Sequence, residues 1–386
     1  MTTATRTLRL SVLQENLNNA LSAVGRVVGD RHNSLPITTH VHLEAAGEWL
    51  TLRTTDLEGY IVHQMAAKVE TEGAICLPYD RLAALVAALP NGTVTLTLAE
   101  NGRNVTIVCA RRTARMSGLD AEEFPPERTV LPGATEVVMS APVLREGLRR
   151  VLKVAATKED RLVLCGIFMT FQGATFTLAS ADGFRLAEQR LTLPDMLPEP
   201  VAERRTVLIP ATLLTEVYGL LAKEDGNVTI VLPPLDHGSD FVHFLVGRTD
   251  MACIQIVGQY PNYGQLIPPQ TGEYLTVDQA ALTQTVRIAA VFGEGLIRLI
   301  PHQVEVGHVE VSAKGDTDDA ACELDADIRG NVSETAVEAR YLLDALDALG
   351  PGKITLQAHM PSSPVVFRKV EDGDYVHVMM PRFVQK

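Results

Sequence analysis

Three stretches decide the reading of this chain: CLPYDRLAALVAALPNGTVTLTL (76–98), LIPATLLTEVYGLLAKEDGNVTIVL (208–232) and VEARYLLDALDALGPGKITLQA (337–358). Each is a short extended lead-in, a run with apolar residues at helical spacing, a glycine-containing turn and an alternating run of strand period. The turn glycines Gly92, Gly226 and Gly352 are separated by 226 − 92 = 134 and 352 − 226 = 126 residues. That period is a whole domain, far beyond the roughly 20–50 residues of a solenoid repeat.

The flanks repeat in the same order. Upstream lie WLTLRTTDLEGYIVHQM (49–65), TFTLASADGFRLAEQRL (175–191) and HVEVSAKGDTDDAACEL (308–324), each a strand, an acidic turn and a second strand, which predicts a hairpin. Downstream of the first two helices come RMSGLDAEEFPPERTVLP (115–132) and ACIQIVGQYPNYGQLIP (252–268), with the aromatic-proline pairs Phe124-Pro125 and Tyr260-Pro261; the third copy stops at VMMPRFVQK. Each copy also opens with a second helix, expected over roughly 11–25, 141–157 and 276–291 from the apolar spacing. The sequence therefore predicts an α+β chain of three similar domains, 1–132, 133–269 and 270–386, each with two helices on antiparallel strands. The boundaries fall in the Pro/Gly-rich stretches LPGATE (131–136) and IPPQTGE (267–273).

The bulk numbers agree and exclude several classes. A chain of 386 residues is expected to form two to four domains at about 100–200 residues each, and 46% hydrophobic residues supply real cores. No run approaches the ~20 apolar residues of a membrane span, and MTTATRTLRLSV lacks a signal peptide's apolar run, so a cytoplasmic location and no membrane partner are expected. Cys76, Cys109, Cys165, Cys253 and Cys322 are scattered and odd in number, with no CxxC; neither a disulfide framework nor a zinc site is indicated. The net charge of −13 argues against a wholly basic nucleic-acid surface but leaves room for one basic face.

Such a face is written into APVLREGLRRVLKVAAT (141–157). At 100° per residue Leu144, Leu148, Val151, Leu152 and Ala155 form one stripe, with Arg145, Arg149, Arg150 and Lys153 broadly opposite. A solvated face is the ordinary reading of charges on a helix. In an otherwise acidic chain, concentrated positive charge points to phosphate. The 276–291 helix repeats this weakly, with Leu282 and Val286 inward and Gln279, Thr283 and Arg287 outward. The first helix is expected to expose Gln14, Asn18 and Ser22, followed by Arg26 and Arg31. No aromatic interleaving or helix-turn-helix signal is present, so any DNA contact is to the backbone and independent of sequence.

No phosphate-cradling glycine loop, GxSxG, HExxH or Cys-His pattern occurs. Asp56 with Glu58, and Asp182, sit at equivalent hairpin turns, where turn chemistry accounts for them better than paired-carboxylate catalysis. His40 and His42 share a strand face but have no third ligand in view. Neither a catalytic residue nor a metal or cofactor is expected, and the single Trp49 reads as a packing residue.

The ordered motifs Leu35-Pro36-Ile37, Thr55-Asp56-Leu57-Glu58, Ser117-Gly118-Leu119 with Phe124-Pro125, Asp182-Gly183-Phe184-Arg185-Leu186-Ala187, Tyr260-Pro261-Asn262-Tyr263 with Ile267-Pro268, and Met380-Pro381 carry a resemblance. Over nearly its whole length the chain resembles the beta sliding clamps of bacterial DNA polymerase III. The resemblance implies a head-to-tail homodimeric ring of six domains around double-stranded DNA, opened by a clamp loader. It implies that the polymerase III catalytic subunit, other polymerases and repair proteins dock short peptides between the second and third domains. By the same resemblance that pocket comprises Arg161, Leu164, Gly183, Phe184, Arg185, Leu186, Pro261, Leu266, Val378, Met379, Met380 and Pro381, with Arg161 and Arg185 holding peptide carbonyls or a carboxylate. The dimer contact joins Ala114 and Met116 to Val291 and Phe292 of a second copy. Ala181, Phe184, Gln265 and Glu338 depart from the Thr, His, Arg and Asn common in the family, and the 291–299 loop is shorter; these bear on peptide preference rather than on fold. Two other readings remain open at this point: an enzyme whose site a single sequence hides, and a clamp-like paralogue with a narrower partner set.

Overall fold

A computed structural model of the chain describes residues 8–29, 35–157, 159–193, 201–235, 240–303 and 307–382. Among them are six α-helices: α1 (Gln14–Val24), α2 (Tyr79–Ala88), α3 (Ala141–Val151), α4 (Ala211–Leu220), α5 (Gln279–Ala289) and α6 (Ala339–Leu349). Each of the three quoted stretches folds as strand, helix and strand, with Gly73–Pro78, Val201–Pro210 and Thr335–Glu338 leading into α2, α4 and α6. Each upstream hairpin forms as read: Trp49–Thr55 with Gly59–Ala66, Thr175–Ala181 with Arg185–Thr192, and His308–Lys314 with Asp319–Asp325.

The turn glycines do one job three times. Gly92, Gly226 and Gly352 each offer a carbonyl to the first N–H of the helix that opens the same repeat, from Gln14, Ala141 and Gln279, at 2.8, 2.9 and 2.9 Å. A helix leaves its first N–H groups without intrahelical partners, and here the neighbouring turn satisfies one. The strands leading into α1, α3 and α5 pair antiparallel with the strands after those turns: Leu8–Leu13 with Thr93–Leu98, Thr135–Ser140 with Asn227–Leu232, and Tyr274–Asp278 with Lys353–Gln357.

The same pairing corrects the expected helix starts. Residues 11–13 and 276–278 finish strands, in register through Leu13↔Thr93 and Asp278↔Lys353, so α1 and α5 begin only at residues 14 and 279. Gln14, expected on the exposed face, is instead buried, and its Nε2 donates to the Val86 carbonyl at 2.7 Å. The carboxylates of the hairpin turns are likewise occupied locally. Asp56 Oδ1 accepts from the Glu58 and Gly59 amides, and Asp182 Oδ1 from those of Phe184 and Arg185. The next residue in each turn is left-handed, Leu57 at φ 81° and Gly183 at φ 92°; glycine takes that conformation without Cβ strain.

By compactness the chain divides into Met1–Pro142 with Thr215–Gln255, and Val143–Leu214 with Ile256–Lys386. The first unit holds a five-stranded sheet, ordered Lys68–Thr71, Leu8–Leu13, Thr93–Leu98, Asn104–Cys109, Arg112–Ser117, and an eight-stranded sheet ending in Gly73–Pro78. Leu17, Leu21 and Val24 of α1 and Leu82 and Val86 of α2 are buried in its core. The second unit holds a nine-stranded sheet and a four-stranded sheet ordered Asp319–Asp325, His308–Lys314, Leu296–His302, Thr335–Glu338. Leu282 and Val286 of α5 and Leu342, Leu346 and Leu349 of α6 are buried there. Both larger sheets run without a break from one repeat into the next, through Gly59–Ala66 on Thr249–Ile254 in the first unit and Arg185–Thr192 on Asp372–Met379 in the second.

All five cysteines are free. Among the described residues no group of three or more His, Cys, Asp or Glu is placed to hold a metal ion, and no helix is long and apolar enough to cross a membrane. Trp49 is partly exposed beneath the Arg248 guanidinium, 4.7 Å from its ring. His42 is buried against the Phe124 ring at 5.3 Å. Burial, reinforced by the Arg53 charge, pushes its pKa down from 6.5 to about 4. The unfolded chain therefore takes up a proton at His42 before the folded one does, and stability is lost as the pH falls from about 6.5 towards 4. Replacing His42→Gln should flatten that limb of a urea-midpoint-versus-pH curve and leave the neutral-pH limb's shape unchanged.

Candidate functional site: an apolar groove and a cationic helix face

Side-chain alternation along two paired strands builds the groove. Arg185–Thr192 and Asp372–Met379 run antiparallel with Arg185 opposite Met379 and Leu186 opposite Val378, and successive side chains on a strand point to opposite faces. Leu186 and Val378 join Val366 and Val376 in one apolar patch, flanked by half-buried Ala181, Tyr263 and Ile267. A second patch of Leu164, Leu208 and Tyr260 is also touched by Ala181 and Tyr263, so the two form one floor. Tyr260 stacks on Phe168 with centroids 5.0 Å apart, and Tyr263 stands edge-on to both rings. Burial, and a like contribution from Glu188, raises the Tyr263 hydroxyl well above its ordinary pKa, which keeps it neutral.

Large exposed apolar side chains neighbour these patches in sequence. Phe184 is 55% exposed, Leu266 59% and Met380 48%. The Met380 amide donates to the Phe184 carbonyl at 2.8 Å, fastening the end of the last strand to the hairpin turn that Gly183 makes possible. Pro261 is exposed and its carbonyl accepts from the Tyr263 amide; Pro381 is half-buried beside it in sequence to Met380. Arg161 is exposed, at a break (φ −140°, ψ 81°) inside the short helical run Glu159–Cys165. Glu338 forms an ion pair with Arg382 at 3.6 Å. Val366, Val376, Tyr263 and Phe168 complete the floor without having been expected; the two-residue alternation back from Val378 was the signal for Val376.

Alternation also corrects two expectations. Met379 is buried on the face opposite Val378 and brings only its backbone to the groove. Arg185 likewise turns away from Leu186 and is buried. Its Nε meets Asp182 at 2.9 Å, its Nη1 meets Asp344 of α6 at 2.7 Å, its Nη2 donates to the Lys153 carbonyl, and its plane lies 4.2 Å over the Tyr341 ring. With all three nitrogens engaged, it ties the hairpin to the turn after α3 and to α6, and with Phe184 it lines a cavity of about 500 Å³ shared with Lys153, Tyr341 and Asp344.

The cationic face of α3 is less open than its helical wheel. Leu144, Leu148 and Val151 are buried as expected, but α3 stops at Val151 and a tighter turn over Leu152–Val154 shifts the phase. Val154 takes the buried place expected for Leu152, which is half-buried. Arg150 points inward, its side chain 13% exposed, bonded to Asp372 at 2.6 Å, Glu146 at 2.9 Å and Gln189 at 2.8 Å, and lying 5.4 Å over the Tyr375 ring. Arg149 is held by Glu146 and donates to the Asp347 and Ala348 carbonyls at the end of α6. Burial pulls the Glu146 carboxyl upward, but hydrogen bonds from Arg149 and Arg150 outweigh it and leave its pKa below the ordinary value. Lys153 is exposed and 2.9 Å from Asp347; Arg145 is half-buried.

Elsewhere, Arg26 bonds Glu216 at 3.2 Å and the Gly219 carbonyl at 3.1 Å. Arg287 is exposed on α5, and Arg31 lies outside the described residues. Past α5, Val291 and Phe292 are exposed, while Ala114 and Met116 lie half-buried on the edge strand Arg112–Ser117.

These placements separate two classes of cation. Replacing Arg185→Met should cost several kcal/mol in urea unfolding, on the order of the 3–5 kcal/mol for breaking a buried pair, because Asp182 and Asp344 lose their counterion. Lys153→Met, at a 55% exposed side chain, should change stability by less than about 1 kcal/mol.

Comparison with known proteins covers the chain end to end. Family models for the N-terminal, central and C-terminal domains of the DNA polymerase III beta subunit match residues 8–130, 139–262 and 264–383. The beta sliding clamp of Synechococcus elongatus is 30% identical over 379 residues, covering 97% of this chain and 99% of its own. Crystal structures of the DNA polymerase III subunit beta from Pseudomonas aeruginosa and the polymerase sliding clamp from Bacillus subtilis have the same fold. Their TM-scores are 0.88 and 0.89 at 24% and 20% identity, over 97% and 98% of this chain and 100% of theirs. A chain built of three such repeats, matched by all three domain models in order, belongs to the family of DNA polymerase III beta subunits, the beta sliding clamps.

Proposed function

We propose that this chain is a non-catalytic processivity clamp, closing head to tail with a second copy into a ring around duplex DNA and tethering the polymerase III catalytic subunit. The supporting observation is a pairing rule that operates twice within the chain and is left unfinished once. The second hairpin strand of repeat one pairs with the last strand of repeat two, Gly59–Ala66 on Thr249–Ile254, and the second hairpin strand of repeat two with the last strand of repeat three, Arg185–Thr192 on Asp372–Met379. The equivalent strands left without that second partner are Asp319–Asp325 of repeat three and Arg112–Ser117 of repeat one, and both are sheet edges. An open edge is a template for another chain, and a second copy supplies the missing partner at each end, so two contacts close the assembly.

Chemistry at the two edges supports this. Residues 103–119 contain Arg103, Arg111, Arg112 and Arg115 and no acid; residues 315–328 contain Asp316, Asp318, Asp319, Glu323, Asp325 and Asp327 and no base. Self-pairing of either edge would set like charges opposite each other, whereas cross-pairing sets them in attraction. Behind Arg112–Ser117 a cleft of about 200 Å³, lined by Leu85, Ala88, Leu89, Ile107 and Ala114 with Arg112 and Thr113 at its side, suits an apolar side chain such as Phe292. Phe292→Lys would carry a cation into a cleft already lined by Arg112, with no acid on that edge to pair it, at a cost of several kcal/mol. Sedimentation should show a dimer for the natural chain at micromolar concentration and a monomer for the variant; a monomeric natural chain would sink the ring.

In this reading Lys153, Arg145, Arg149, Arg287, Arg26 and Arg31 supply backbone contacts to double-stranded DNA, independent of sequence and weakened by salt. The groove takes an extended partner tail. Each Leu or Phe anchor buried there contributes about 1.5–3 kcal/mol, so isolated peptides bind modestly and tethering supplies the rest through effective concentration. Phe184 adds aromatic area and favours apolar anchors. A clamp loader opens the ring, other polymerases and repair proteins share the groove, and the work is done in the cytoplasm. The deciding assay is polymerase synthesis on primed circular DNA: the chain should raise product length only when loader and ATP are present. Deleting residues 380–386 should abolish binding of a Leu/Phe polymerase peptide while leaving the dimer intact. Equal peptide affinity in the truncated protein would show that the tail binds elsewhere.

A further inference from the structure

The C-terminal ends of α3 and α6 meet in a cluster whose charges cancel. Lys153 Nζ lies 2.9 Å from Asp347 Oδ2, and Arg149 Nη1 lies 3.7 Å from the same oxygen. Arg149 is also bonded by both oxygens of Glu146, at 2.8 Å each. Two of the cations assigned to DNA contact are thus already neutralised, by carboxylates as accessible as they are: Asp347 is 57% and Glu146 47% exposed, against 55% for Lys153 and 27% for Arg149.

Asp347 is also badly placed for the helix that carries it. It sits in the last turn of α6, which ends at Leu349 and has no basic residue there. The helix dipole makes that end negative and disfavours an anion. The carboxylate cannot donate to the exposed carbonyls of that turn; Arg149 does, to Asp347 O and Ala348 O at 2.8 and 3.1 Å. A carboxylate that costs its own helix and adds no hydrogen bond to it has its effect on the neighbouring cations.

We propose that Asp347, seconded by Glu146, is an internal counterion that competes with DNA phosphate for Lys153 and Arg149 and so holds the clamp's grip on duplex weak. The proposal rests on the reading that this face meets DNA. When phosphate arrives, Lys153 exchanges Asp347 for it, and the gain is the difference between two screened ion pairs rather than one full pair. Release is correspondingly easy, which suits a protein that stays on DNA by enclosure and must slide.

The test uses the full-length dimer and a fluorescent duplex of mixed sequence, with affinity measured across a salt series. Asp347→Asn should tighten binding roughly three- to tenfold at low salt, and steepen the plot of log K against log salt by about 0.9 for each cation released to phosphate. Its melting temperature should be unchanged or higher, since an anion has left a helix C-terminus. Lys153→Gln alone should weaken binding, and in the double variant the Asp347→Asn gain should largely vanish, because the cation it released is gone. If Lys153→Gln weakens binding but Asp347→Asn leaves it unchanged, the counterion proposal is overturned while the DNA-facing assignment stands. A gain that survives whole in the double variant also overturns it, since it would then reflect net charge alone. Indifference of binding to both single variants rejects the DNA-facing assignment and this proposal with it.

Discussion

Every strand edge carries a row of N–H and C=O groups that must find partners, and in this chain that requirement organises everything larger than a single repeat. Antiparallel pairing of a hairpin strand with the last strand of the following repeat satisfies those groups twice, at Gly59–Ala66 on Thr249–Ile254 and at Arg185–Thr192 on Asp372–Met379. The resulting sheets of eight and nine strands bury no free edge at either junction. Compactness therefore cuts the chain into two units rather than three, since the middle repeat is shared between its neighbours' sheets. The repeat is a unit of sequence and helix pairing, whereas the sheet is a unit of hydrogen bonding, and the two need not coincide.

The same junction in the second unit makes the groove, and the two-residue period of a strand makes it one-sided. Leu186 and Val378 turn to the groove, while Arg185 and Met379 turn to the helices. Arg185 then spends its guanidinium on Asp182, Asp344 and the Lys153 carbonyl, so the hairpin, α3 and α6 are fixed by one side chain. Arg150 does the same through Asp372 and Gln189, with Tyr375 beneath it. These are hydrogen-bonded pairs at low exposure, where geometry is worth more than charge. The polar groups of these strands are thus satisfied on the helix side, and the side that carries Leu186 and Val378 stays apolar.

Much of this was legible in the sequence, and the boundary of what was legible has a physical cause. Hairpins, turn glycines and the strand–helix–strand order depend on local periodicity and turn chemistry, which a linear sequence displays directly. The failures came where a tertiary contact competes with a local rule. Gln14 looked exposed because the helical pattern runs back to residue 11, yet strand pairing holds through Leu13 and turns Gln14 under Val86. Leu152 looked buried because the wheel was extended past Val151, where the helix in fact tightens. Arg150 and Arg185 looked available because, beyond their local partners Glu146 and Asp182, the acids that draw them inward, Asp372 and Asp344, are 222 and 159 residues away in sequence. Resemblance to the clamp family nominated the groove residues without saying which side of a strand each occupies.

Nor does an overall charge of −13 conflict with a DNA-enclosing protein. A protein that binds DNA by affinity needs a surplus of exposed cations, since each neutralised phosphate adds to the binding constant and to its salt dependence. Enclosure removes that need and penalises it, because every tight phosphate contact is also friction. What enclosure does require is a ring that closes in only one sense, and there the charge is concentrated: arginines along one open edge and six acids in and around the other. The two edges nearly cancel each other in the total, while the helix face keeps cations already matched by Glu146 and Asp347. In the proposed ring, charge would direct assembly and topology would do the holding.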